Sequence, residues 1–469
     1  MTRPRQITLA QWDDRYADLC RRGLRQTDYG GPLSHHVDDG DHRLTKLLFD
    51  DSPAALRLWN LLLTEEDRLH AARQAGKKIV GVMKDLGTIP VMAYALDNLV
   101  AFYPDGAWWI PCIMEHSTPL LEIADSLGID ESFCPVRAML GAFVNGEHFP
   151  IPDLLVCSVG AVCDDFSAIA QRLPDLGFDV LWWEIPHRRA PDAGEPTVQL
   201  PGNLIAPKSQ VEFVMGELDR VRRALADMAG RPLNDDALSA GIEQANLVRV
   251  KLAQLRTRVF TAEPCPMPAL EMLIAEMLAI HYCSDRDETL AVLDGLIAEV
   301  DARLAANDYG PMANDSPARI FWVNPVADIR VMNLLEQCGG RICGTEYLFS
   351  HALDPIDTDV PPLEALARSA LADLMVGPVG DRAARILADM ERFGSEALLI
   401  SRIPGASHCA LEGRLIADVV SARRRIPILE IEVPSISDAM RPTLQTRIEA
   451  LVETAVSRRN HRLTRLDTD

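Results

Sequence analysis

The residues best placed to do chemistry are cysteines. The chain has ten of them in 469 residues. Cys134, Cys163, Cys338 and Cys409 share one context, each in or beside a loop at an expected strand–helix junction. Cys134 is followed by Pro135 at the first helical turn. Cys163 precedes Asp164-Asp165, first-turn acids of a helical run from Phe166 onward. Cys409 follows Gly405-Ala406-Ser407-His408 at a helix start. A helix start offers unpaired N–H groups and partial positive charge, which stabilise a thiolate. Thiolates scattered along the chain, at loops that can converge, suit an iron–sulfur cluster better than zinc. There is no C-x-x-C pair or C-x-x-C…H-x-x-x-H series for zinc. The other reading of such thiols is packing as small apolar side chains. That reading is given to Cys20, Cys265 and Cys283, and to Cys157 and Cys343 beside the ligand candidates. Glu115-His116, in IMEHST, forms a candidate acid/base pair. His408 abuts Cys409 and is a candidate hydrogen-bond donor to a cluster. The run LSHHVDDGDH at residues 33–42 reads as a solvated loop, and Arg188-Arg189 as a solvated pair.

The elements that must position these residues alternate. Ile79–Val82 reads as a first strand after the basic turn Gly76-Lys77-Lys78, and Val91–Phe102 has helical periodicity. Trp108–Ile113 reads as a strand and Thr118–Leu127 as a helix. A helix from Cys134-Pro135 runs to Phe143. The stretch Ile151–Ala170 turns at Pro152-Asp153, runs as a buried strand through Leu154–Val156, and hands over to a helix beyond Cys163. Val180–Trp183 is a further strand. Residues 209–259 are long, helical and charged, broken at Pro232 with Asn234 as a cap. Strands resume at Arg319–Val323, Arg341-Ile342, Ala397–Ile400 and Ile426–Glu432, with helices between them. The fold class expected is α/β with doubly wound parallel sheets. Four regions follow: a helical amino-terminal arm (1–75), a first α/β domain (76–207), a helical linker (208–305), and a second α/β domain with a closing helix (306–469). In such sheets ligands bind beyond the carboxyl ends of the strands, which places Cys163 in a crevice.

The net charge, 47 − 68 = −21, argues against a nucleic-acid backbone as partner. No basic, apolar leader and no membrane-length apolar run is seen, so a cytoplasmic location without membrane insertion is expected. In a reducing compartment the cysteines are not expected to form structural disulfides.

Taken together, several blocks resemble the 2-hydroxyacyl-CoA dehydratase D-component family, which includes benzoyl-CoA reductase subunits and double-cubane cluster proteins. The blocks are KKIVGVM, FCPVRAMLGAF around Cys134, PDLLVCSVGAVCDD around Cys163, LLEQCGGRICGTEY around Cys338, and SHCALEGRLIADVV…IPILEIEVP after Cys409. Their order and spacing, from Lys77 to Val433, carry the resemblance. It implies two Rossmann-like (flavodoxin-like) domains with a cluster between them. The implied ligands of a 4Fe-4S cluster are Cys134, Cys163 and Cys409, leaving one iron open as a Lewis acid. Cys112 and Cys338 match further positions used by proteins carrying a double-cubane 8Fe-9S cluster; one cysteine of that set is replaced near Met83-Lys84. The implied activity is one-electron chemistry on an acyl-CoA. In a 2-hydroxyacyl-CoA dehydratase the thioester carbonyl becomes a ketyl and expels the hydroxyl group; in a benzoyl-CoA type reductase the ring is reduced. The implied partners are a homologous subunit (or a second copy) and a separate ATP-hydrolysing activator with its own cluster. The absence of a G-x-x-x-x-G-K-S/T loop here is consistent with that division. Two further functions fit the resemblance: small-molecule reduction at a double-cubane cluster, and a non-catalytic scaffold subunit. One departure is GTIPVMAYALDNL, which lacks the glutamate of a Pro-x-Glu-Leu block found in many members.

Overall fold

In the computed structural model, residues 6–21, 46–83, 87–104, 117–146, 148–160, 162–281, 284–312, 316–324, 328–347, 349–406, 411–434 and 438–466 are described. Cys112, Glu115, His116, His408 and Cys409 lie outside them, as do the expected strand at 108–113 and the histidine-rich run at 33–42.

Two four-stranded parallel sheets organise the chain. The first contains β1 (Lys78–Met83), β2 (Leu99–Phe102), β3 (Leu154–Gly160) and β4 (Val180–Ile185), in the order β2-β1-β3-β4. The Leu99–Phe102 run therefore leaves the helical pattern of Val91–Phe102; only Ile89–Tyr94 is helical. Next comes an antiparallel hairpin absent from the sequence reading, β5 (Thr197–Leu200) with β6 (Leu204–Pro207). The second sheet contains β7 (Ala318–Val323), β8 (Gly340–Glu346), β9 (Ala397–Arg402) and β10 (Ile428–Glu432), in the order β10-β9-β7-β8. Read from the other edge, this is the same winding as the first sheet. In each, the chain reverses direction across the sheet between the first and third strands, β1/β3 and β7/β9. The loops leaving those strands diverge there and open a crevice at their carboxyl ends. Apart from Lys78, β1 is buried throughout, as befits a central strand covered on both faces.

The helices between the sheets are not a loose linker. Asp235–Thr261 is a 27-residue helix, started by Asn234, whose Oδ1 accepts from the Ala237 N–H at 2.9 Å. Gly241 lies so close to the first domain that a Cβ there would stand 2.7 Å from the Val91 carbonyl oxygen. Further along, Arg249 donates to the Gly87 carbonyl (3.2 Å), beyond β1, and to the Asp354 carbonyl (2.7 Å), beyond β8. Arg256 donates to Thr345 Oγ1 on β8 at 2.9 Å and pairs with Glu276.

The amino-terminal arm joins the core. Trp12 and Trp59 are buried, and Trp12 Nε1 donates to the Asp50 carbonyl at 2.8 Å. Arg303 grips both Asp50 carboxylate oxygens at 2.7 and 2.8 Å. Among the described residues no helix is long and apolar enough to cross a membrane.

Candidate functional site

Cys163 follows β3 and caps the helix Asp164–Ala170 in an extended conformation (φ −163°, ψ 120°). Gly160 permits this handover. Its φ is +110°, and a Cβ would fall 2.2 Å from the Ile185 carbonyl oxygen at the end of β4. Only a residue without a side chain fits there.

Cys134 caps the 3-10 turn Pro135–Arg137 (φ −52°, ψ 141°), the extended backbone expected before proline. An Asp130 turn leads into it: Asp130 Oδ1 accepts from Ser132 N–H (3.0 Å) and Ser132 Oγ (2.6 Å). Buried Arg137 donates from Nη1 to the Phe133 carbonyl at 3.2 Å and pairs with Asp125 at 3.4 Å. The turn Pro135–Arg137 packs against the helix Asp164–Ala170, so the structure brings the Cys134 and Cys163 caps into one neighbourhood. Both thiols are half-buried.

The second domain meets this neighbourhood through the loop after β9. Gly405, at φ +79°, lies against the backbone before Cys134; a Cβ would sit 2.6 Å from the Phe133 carbonyl oxygen. A second crossing joins the loop after β1 to the turn after β8, where a Cβ on Gly87 would lie 3.1 Å from the Ala352 Cβ. The carboxyl ends of the two sheets therefore face each other.

The sequence groups Cys338 with these residues, but the structure sets it apart. It ends the helix Arg330–Gln337 and precedes β8, so it stands at the amino edge of the second sheet. Its Sγ lies 3.8 Å from the Gln445 carbonyl on the closing helix. Of the cysteines read as packed thiols, three are buried, Cys20 is half-buried, and Cys283 lies outside the described residues. Cys157, Cys265 and Cys343 are buried, with Sγ near Ser158 O, Met267 O and Ser395 Oγ at 3.3, 3.1 and 3.3 Å. Burial pushes the Cys265 and Cys343 thiols up, the opposite of what a ligand needs. None of the described cysteines is in a disulfide.

Arg188 is a correction. Rather than being solvated, it is buried at the domain seam, donating to the Leu371 (2.5 Å) and Asp373 (3.3 Å) carbonyls and pairing with Asp381 at 2.8 Å. Arg189 is exposed as expected and pairs with Glu195.

Among the described residues no group of three or more His, Cys, Asp and Glu is positioned to hold a metal ion. The set Cys134, Cys163 and Cys409 is not tested by that, because Cys409 is outside those residues. The two described donors are thiols, the ligand type that an iron–sulfur cluster takes. Two half-buried thiols stand at turn and helix starts, beside two glycines whose missing side chains keep the backbones close.

A search of curated proteins found no match to the chain. The model of the 2-hydroxyglutaryl-CoA dehydratase D-component family matches residues 91–455, most of the chain, and the chain belongs to that family.

Proposed function

We propose that this chain is the iron–sulfur subunit of an activator-driven acyl-CoA enzyme, either a 2-hydroxyacyl-CoA dehydratase or a benzoyl-CoA type reductase. In this reading Cys134, Cys163 and Cys409 hold a 4Fe-4S cluster in the crevice. A cluster with one iron free of protein ligands supplies low-potential electrons and a Lewis-acidic site. The protein's own contribution is positional. The caps of Pro135–Arg137 and Asp164–Ala170 place Cys134 and Cys163 on elements that pack together. The close approaches of Gly405 to Phe133 and of Gly87 to Ala352 hold the two halves together beside them. The homologous subunit and the ATP-hydrolysing activator are the partners in this proposal. Glu115, His116 and His408 remain the proposed acid/base pair and cluster donor.

One observation carries the reading. Gly405, four residues before Cys409 in the sequence, rests on the backbone of the residue before Cys134. Chain prepared without oxygen should contain about four irons and as many acid-labile sulfides. Cys163→Ala should lose most of that iron and Cys338→Ala should keep it. The double-cubane alternative needs about eight irons per chain and counts Cys338 and Cys112 among its ligands, so iron loss from Cys338→Ala would favour it. A chain purified with no iron or sulfide would sink both.

A further inference from the structure

The helix Gly413–Arg423 lies over β9 and the edge strand β10, and its inner face seats Ile416, Ala417 and Val420 in the core of the second domain. A surface helix of this kind ordinarily turns a polar face outward. This one does not. Leu411 (75 % exposed), just before the helix, Leu415 (52 %) and Val419 (36 %) follow at four-residue spacing along the outer side. Four residues advance a helix about 40° past one full turn, so the three side chains form a continuous ridge about 12 Å long. Eight large apolar side chains are exposed among the described residues, and three of them stand on this ridge. Single exposed apolar residues need no explanation, whereas a contiguous row marks a contact surface.

The charges beside the ridge say what it contacts. Arg414 and Asp418 flank it on one side and pair with each other, Nε to Oδ1 at 3.1 Å, with both side chains more than half exposed. The flank thus carries one charge of each sign, although the chain as a whole carries −21. A partner chosen by opposite charge would find nothing to select here. A surface with balanced charges in a fixed order matches its own reverse. In an antiparallel pair of these helices, with a two-fold axis at the height of Ile416, Arg414 of each copy stands level with Asp418 of the other. The same axis sets the apolar side chains of one copy midway between those of the other, level with positions 413, 417 and 421. Charge and ridge are therefore complementary in one register, as a contact between identical patches requires.

We propose that this ridge is a docking face for a second copy of the chain, the two helices packing antiparallel about a two-fold axis near Ile416. Leu411, Leu415 and Val419 interdigitate across the axis, and the two Arg414–Asp418 pairs join into a four-charge network. The inference does not rest on the iron–sulfur reading: a chain purified without iron leaves it standing.

The test is sedimentation velocity of the full chain over about 1–100 µM, the range suited to a small interface. Salt is held at about 0.15 M, where the Debye length of about 8 Å screens the overall charge but not pairs in contact. Wild type is expected to shift from monomer to dimer across the series. Leu415→Glu is expected to raise the dimer's Kd at least about tenfold, with Tm within about 2 °C of wild type, an exposed-site effect in size. Arg414→Asp and Asp418→Arg each set like charges opposite one another across the axis, and each is expected to weaken the dimer about tenfold. An equimolar mixture of these two variants sets opposite charges at both places and is expected to recover the dimer, as is the double variant. A wild type that stays monomeric overturns the proposal. A large Tm loss in monomeric Leu415→Glu would then assign the ridge to cover by the chain's own segments, and an unchanged Tm would assign it to a different protein. A dimer indifferent to all of these changes also overturns it, because the pairing then uses another face.

Discussion

Glu271 and Glu336 are buried within the field of the Asp50 charge, where the amino-terminal arm is sealed into the core. Glu271 Oε1 accepts from the Asp50 N–H at 2.9 Å and from Trp59 Nε1 at 3.2 Å. Glu336 accepts from the Ala269 N–H at 2.6 Å and from Gln6 Nε2 at 2.7 Å. Arg303 supplies one positive charge to this group, and Asp50 takes it. Burial pushes Glu336 up to about 8, with the neighbouring Glu271 charge adding to it. Burial, then Asp50, pushes Glu271 up to about 7. A carboxyl whose pKa is raised on folding binds its proton more tightly in the native state. Its favourable contribution is complete below the unfolded value of 4.5 and is lost as pH rises through the folded value. Tm should therefore fall between about pH 5 and pH 8 in thermal scans, from a cost of a few kcal/mol. Glu336→Gln should flatten that slope and be the more stable chain at pH 8.5. An unchanged slope would show that the proton is held elsewhere. The composition of this cluster was not legible, because Gln6, Asp50, Glu271 and Glu336 are brought together from distant parts of the chain. The cysteines were partly legible. A strand-to-helix junction lies at the carboxyl edge of a parallel sheet and a helix-to-strand junction at the amino edge. That rule, applied to LLEQCGGRICG, separates Cys338 from Cys163; the shared loop context alone does not.

Between elements, the seam depends on glycine. Gly405→Ala would place a methyl carbon 2.6 Å from the Phe133 carbonyl oxygen, at a φ of +79° that disfavours a side chain. The expected result is a loss of about 1–3 kcal/mol in unfolding free energy, together with reduced iron content. A drop in stability with full iron content would mean that the seam does not set the cysteine geometry. The element order was largely readable because period-two and buried runs stand out against helical ones. Val91–Phe102 misled because the turn at Leu96–Asn98 is too short to interrupt the apolar spacing. The β5–β6 hairpin carried its own signal in Pro201-Gly202-Asn203, flanked by TVQL and LIAP, but its strands are only four residues each.

For the molecule as a whole, parallel sheets follow from alternating strands and helices, and that much a sequence can show; that the two are wound alike is seen only in the structure. How the halves meet cannot be read, since Arg188 and Arg249 look like any other charged residues until their partners are known. Arg188 is within hydrogen-bond reach of two carbonyls and one carboxylate across the seam. Arg188→Met should lower unfolding stability by about 2–3 kcal/mol, because buried acceptors lose their donor. Denaturant titration followed by tryptophan fluorescence measures this; a shift below about 0.5 kcal/mol, as at a plain surface site, would reassign the seam's stability to other contacts.

The long helix Asp235–Thr261 touches one half at Gly241, both halves at Arg249 and the other half at Arg256. Those positions are eight and seven residues apart, about 2.2 and 1.9 helical turns, so they fall within one broad face of the helix. The helix thus works as a ruler whose graduations are counted in residues. One amino acid inserted between Arg249 and Arg256 would rotate everything beyond it by about 100° and put the second set of contacts out of phase with the first. A four-residue insertion would nearly restore the angle while lengthening the spacing by about 6 Å, separating the effect of orientation from that of distance.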